Sequence, residues 1–142
     1  MNEFEMNYTG TLNRGPFRSF SDRLMSAAYC CASVLANGRF EFADFNREPN
    51  PARERLIELI TVQPAADLGT LSCRIRIEGA EGMLAEGSLR DGGRELAIDW
   101  DSIDNWAGAL WQEAGRAHAY PALRAAVLGL PDGEIAPLLR CF

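Results

Sequence analysis

The stretch Leu71-Ser72-Cys73-Arg74-Ile75-Arg76-Ile77-Glu78-Gly79 decides the fold class. Leu71, Cys73, Ile75 and Ile77 alternate with Ser72, Arg74, Arg76 and Glu78. A period of two predicts an antiparallel strand with one face on a core and one in water. Gly79 to Gly82 turns the chain, and Met83 to Leu89 returns as the partner strand. Arg74 and Arg76 fall on the wet face, where Glu58, Glu78 or Glu86 can pair with them across strands.

The same pattern extends on both sides of this hairpin. Beyond it, Asp91-Gly92-Gly93 predicts a tight turn, because glycine accepts positive φ. Leu96, Ile98 and Trp100 then alternate with Glu95, Ala97 and Asp99, which predicts a third strand. Before it, Leu56 to Val62 is rich in β-branched residues and suits a strand buried on both faces. Asn50-Pro51 followed by Ala52, Leu56, Leu59 and Ile60 also has the form of a helix start. The strand is the favoured reading, so residues 55 to 100 are expected to form an antiparallel meander.

Near the N-terminus, Phe4, Met6 and Tyr8 alternate with polar residues and predict a further strand. Ser19 or Ser21 can cap the following helix, with Asp22 in its first turn. Phe20, Leu24, Ala27, Ala28, Cys31, Val34 and Leu35 recur at helical spacing, and Asn37-Gly38 supplies the stop. The small residues Ala27, Ala28 and Cys31 would let this helix lie close against a sheet. Arg39 to Ala43 alternates again and predicts another strand.

After Trp100 the period becomes helical. Asp101 or Ser102 can cap a helix with Ile103, Trp106, Ala107, Leu110 and Ala114 on one stripe. Pro121 opens a second helix through Ala122, Leu123, Ala126 and Val127, ended by Gly129. The remainder reads as irregular, with Leu138, Leu139 and Phe142 expected to dock. Strands and helices are segregated along the chain. That order predicts an α+β fold, a meander sheet with an N-terminal helix and C-terminal helices packed on one face. The 142 residues amount to one such domain.

Acids outnumber bases 20 to 14, a net charge of −6. Nucleic acid and anionic membranes are therefore not expected as partners, since both demand a basic footprint. The stretch holding Arg47, Arg53 and Arg55 is diluted by Glu48, Glu54 and Glu58. Every basic residue is arginine and none is lysine, which rules out a lysine-bearing phosphate loop and fits the codon bias of a GC-rich genome. Glu3 and Glu5 replace the basic start of a secretory signal, and no apolar run approaches a membrane span. The four cysteines, Cys30, Cys31, Cys73 and Cys141, form no CxxC and have one histidine, His118, to join them. They read as small hydrophobes in a reducing, cytoplasmic setting, with no metal and no cofactor expected.

The densest group of function-capable side chains is Asp99, Trp100, Asp101, Asp104 and Trp111. Three carboxylates at this spacing can hold a divalent cation through oxygen, but capping and dipole roles use only local geometry and are preferred. Beside tryptophans, the same acids suit recognition of a basic protein surface. Trp106 lies on the apolar stripe and is expected in the core, Trp100 in the core or at its boundary, and Trp111 partly exposed. The expectation is a binding module without catalysis. Its small acidic profile is of the type shown by bacterial immunity proteins, which neutralise a cognate toxin by occlusion. The alternatives are a secretion or effector chaperone, or a small enzyme using His118 with nearby carboxylates.

Overall fold

The structure, a computed structural model, describes residues 1–45, 49–95, 98–130, 133 and 135–139. The protein is α+β. Its residues gather into two compact units, Met1–Ala97 and Ile98–Phe142.

The first unit is held together by helices. α1 (Glu3–Met6) replaces the strand expected at residues 3 to 9. The Asn2 side chain caps it by accepting from the Phe4 N–H, and Phe4 and Tyr8 meet edge-on at 5.4 Å. The alternation of Phe4, Met6 and Tyr8 thus contains a helical i,i+4 pair, and the cap decides between the two periods. Asn2 also donates to the Leu68 carbonyl at 2.8 Å, and the Leu71 N–H donates to Glu5 at 2.6 Å, so the N-terminus is tied to the chain leading into the hairpin.

The predicted long helix is two: α2 (Phe20–Met25) and α3 (Ala27–Asn37). Of the two expected caps Ser19 is the one used, and with Asp22 it forms a reciprocal capping box on α2. Ser26 breaks the run in extended conformation and caps α3 by accepting from the Tyr29 N–H at 3.0 Å. Its hydroxyl donates to the Asn13 carbonyl at 2.5 Å. Gly38, at φ 73°, ends α3 in the left-handed region that glycine tolerates.

Two further strand expectations are overturned nearby. Residues 39 to 43 lead into a 3₁₀ turn, Phe42–Phe45. Asp44 is fully buried and accepts from the Glu41 N–H at 2.9 Å and the Asn37 amide at 2.8 Å, closing the chain locally instead of leaving it extended. Residues 51 to 59 form α4 (Pro51–Leu59). Asn50 accepts from the Ala52 and Arg53 N–H groups, and Pro51 occupies the first turn. These start signals outweigh the strand preference of the β-branched residues.

The core of this unit joins Ala28, Tyr29 and Ala32 of α3 to Phe45 and to Ile57 of α4, with Phe17 and Phe20 packed on it. The small face of α3 does bring a neighbour close, but that neighbour is α4 and not a sheet. The Tyr29 ring meets Phe17 edge-on at 5.0 Å, and the Arg53 guanidinium lies 4.7 Å over it.

β1 (Cys73–Gly79) and β2 (Gly82–Leu89) pair antiparallel, with Cys73 opposite Leu89 and Arg76 opposite Glu86. The register slips between Ile77 and Glu78. Arg76 pairs with Glu86 at 3.0 Å as the alternation implied, while Arg74 reaches back to Asp67 at 2.6 Å. The hairpin is the whole sheet among the described residues. Its apolar positions do not find a core: Ile75, Met83 and Leu84 are exposed. The turn expected at residues 91 to 93 is the start of a short helix, α5 (Gly92–Glu95), with Asp91 accepting from the Arg94 N–H. Gly92 is required there by close approach and not by positive φ: a Cβ on it would lie 2.0 Å from the Leu71 carbonyl oxygen. Of the expected third strand, residues 96 and 97 lie outside the described residues, Ile98 is exposed, and Trp100 already belongs to a helix.

The second unit contains α6 (Trp100–Glu113), α7 (Tyr120–Leu128) and α8 (Ala136–Leu139). α7 opens with Pro121 in its first turn and closes at Gly129, as the sequence predicts. Leu139, expected to dock, is exposed; Phe142 lies outside the described residues.

Candidate functional site

Of the acidic and aromatic group singled out from sequence, Asp99, Trp100, Asp101 and Asp104 map to the N-terminal end of α6 and Trp111 to its last turn. Asp99 caps the helix: its carboxylate accepts from the Ser102 N–H at 2.8 Å. The bonds from Ser102 hold the Asp99 carboxyl below the usual carboxylate range. The cap is therefore Asp99, where Asp101 or Ser102 was expected, and Asp101 sits exposed in the first turn. An anion there faces the positive end of the helix dipole.

Asp104 has another role. It accepts from Arg124 Nε through both oxygens, at 2.6 and 2.8 Å, and from the Tyr120 hydroxyl at 2.7 Å. Arg124 foremost, and Tyr120 after it, hold the Asp104 carboxyl below its ordinary range. The same bond raises the Tyr120 phenol, since losing its proton would set two anions together. Arg124 also lies over the Trp100 ring at 5.5 Å. One guanidinium thus joins α7 to two side chains of α6 that are four residues apart and share a face.

The tryptophans are distributed differently from expectation. Trp106, expected in the core, is 54% exposed, and Trp100 is 43% exposed. Trp111, expected to be the open one, is half-buried, with the Arg116 guanidinium 5.2 Å over its ring. Leu110, four residues after Trp106, is 48% exposed. α6 therefore shows solvent two large apolar side chains at i,i+4 spacing, Trp106 and Leu110. It carries Asp101, Asp104 and Glu113 and no basic residue.

The Asp104 carboxylate is occupied by two donors, and Asp99 is spent on the cap. His118 lies exposed in the 3₁₀ turn Ala117–Ala119. Among the described residues no group of three or more His, Cys, Asp or Glu could hold a metal ion. Cys30, Cys31 and Cys73 are free thiols, and Cys141 lies outside the described residues. Burial pushes the Cys30 thiol up to about 11. Among the described residues no helix is long and apolar enough to cross a membrane.

Sequence reasoning missed Tyr120 and Arg124, which become partners of Asp104 only once α6 and α7 pack together. It also missed a cleft of about 420 Å³ in the first unit, lined by Arg14, Phe17, Arg23, Tyr29, Arg53 and Ile57 among others. The three arginines lie up to 39 positions apart and no local pattern links them.

Comparison of the chain with protein-family models, with curated proteins and with solved structures finds no match to any of them.

Proposed function

We propose that the chain is a non-catalytic protein-binding module that docks a cognate protein on the open side of α6. The observation that carries this reading is the exposure of Trp106 and Leu110 on a helix without a basic side chain. Buried on contact, side chains of this size and type are the usual energetic anchors of an interface. Asp101, exposed in the first turn, adds to the negative charge of the helix. A net charge of −6 favours encounter with a basic partner surface. An immunity-type inhibitor, working in the cytoplasm by covering the cleft of a basic toxin or effector domain, is the form of this reading that agrees best with the charge balance. Asp104 acts within it as a brace and not as a contact.

The test is co-expression with the product of the adjacent gene, followed by size-exclusion chromatography and calorimetry. A stable complex is expected. Trp106→Ala and Leu110→Ala should each weaken it at least about thirtyfold, the effect of an interface hot spot of about 2 kcal/mol. Both positions are exposed, so the free variants should keep the circular dichroism of the parent. A complex indifferent to both changes would remove α6 from the interface. Failure to find any stable partner in the native cell would remove the function.

A further inference from the structure

We propose that the cleft in the first unit, between residues 14–17 and helices α2, α3 and α4, binds a small organic monocarboxylate with a flat apolar body. The site is independent of the α6 surface. Arg14, Arg23 and Arg53 line it, and Arg14 and Arg23 supply its recognition donors. Arg14 donates through Nη2 to the carbonyls of Ile57, at 2.9 Å, and Glu58. Arg23 donates through Nη1 to the carbonyl of Phe45 at 2.5 Å. These acceptors are neutral peptide groups, so they orient the guanidiniums without cancelling their charge. Among the described residues neither arginine forms an ion pair with a carboxylate. Arg14 keeps its Nε and Nη1 donors, and Arg23 its Nε and Nη2 donors, both on side chains lining one space. On Arg23 the Nε and Nη2 donors share one edge of the guanidinium, a pre-oriented planar fork that matches a carboxylate, and Arg14 adds single donors.

The remaining walls define the body of the ligand. Pro16, Phe17 and Ile57 present apolar surface, and the edge-to-face contact of Phe17 with buried Tyr29 fixes that wall. About 420 Å³ is the volume of a small-molecule site. Glu54 and Glu58 stand exposed on the rim. Their charge opposes a dianion more than a monoanion, which favours a carboxylate head over a phosphate. A mixture of oriented polar groups and apolar wall is the usual make-up of a small-ligand pocket.

The test is calorimetric titration of the full chain with 1-naphthoate, with 1-naphthamide as its neutral counterpart, and with inorganic phosphate. Saturable one-to-one binding of naphthoate is expected, at least about tenfold tighter than either other probe, the discrimination of one charge-assisted hydrogen bond. Arg23→Gln should weaken naphthoate about tenfold or more. Because Arg14 and Arg23 also brace the fold, Glu58→Gln is the complementary variant. It removes an exposed rim charge, leaves the Glu58 carbonyl in place, and should tighten binding a few-fold. No saturable binding by naphthoate would overturn the proposal. So would equal binding of the amide, which would mean an apolar patch only, or equal binding of phosphate, which would mean an adventitious ion only.

Discussion

Tyr29 offers the sharpest test of how the first unit is held together. Its side chain is 2% exposed, and its hydroxyl donates to the Asp44 carbonyl at 2.5 Å. Its ring touches Phe17 edge-on and lies under Arg53. Tyr29→Phe keeps the ring and removes one buried hydrogen bond, a loss of about 1–2 kcal/mol. Tyr29→Ala removes the ring as well and opens a cavity between α3 and α4, at a cost of about 3–5 kcal/mol. A domain of this size has a total stability of about 5–15 kcal/mol, so the second variant removes about a fifth of it or more. Urea unfolding followed by far-ultraviolet circular dichroism reads both. With a slope of about 2 kcal/mol per molar urea, Tyr29→Phe should lower the midpoint by roughly 0.5–1 M and Tyr29→Ala by roughly 2 M. Two equal shifts would show that the hydroxyl and not the ring organises the core. A shift below roughly 0.5 M for Tyr29→Ala would refute the placement of the core at the α3–α4 contact.

Three further outcomes follow from the structure. Gly92→Ala places a Cβ 2.0 Å from the Leu71 carbonyl oxygen, so the backbone must move, and a loss of about 1–3 kcal/mol with faster hydrogen exchange near the end of β2 is expected. Asp22, Asp67, Asp99 and Asp104 have carboxyls held below the ordinary value of 3.8 by N–H, hydroxyl and guanidinium donors. Their folded values lie below their unfolded ones, so their stabilisation is complete above pH 3.8 and is lost as the pH falls through the folded values; in Asp104→Asn an acid titration of the circular dichroism should lose part of that dependence. Burial raises the Cys30 thiol from 9.0 to about 11, so at pH 8 iodoacetamide should alkylate it about a hundredfold more slowly than a free thiol of ordinary pKa, with mass spectrometry as the readout. The same shift stabilises the fold below pH 9.0 and is lost between there and about 11, because only the unfolded thiol has ionised over that range.

Local geometry was legible in the sequence at several places where neighbouring residues settle it. The Ser19–Asp22 capping box, the Gly38 stop, the β1–β2 hairpin with its Arg76–Glu86 pair, and the Pro121-to-Gly129 helix all use partners a few residues away or directly across one turn. The α+β class follows from those elements. Alternation alone misled at residues 3 to 9 and 39 to 43, because a short period-two string also satisfies a capped helical turn, and β-branched richness misled at 56 to 62. There Asn2, Asp44 and Asn50 supply side-chain acceptors that an extended chain would not use.

What the tertiary structure alone decided is which side chains each packed surface covers. An apolar stripe on α6 does not say whether Trp106 or Trp111 meets its neighbour; the fold leaves Trp106 open, and the turn after α6 places Arg116 over Trp111. In the same way Asp104 is braced by Arg124, and Arg14 and Arg23 reach one cleft from separate segments of the chain. Capping and turn energies act over a few bonds and are written in adjacent residues. Burial and long-range ion pairing depend on positions dozens of residues apart, and only the folded chain brings those together.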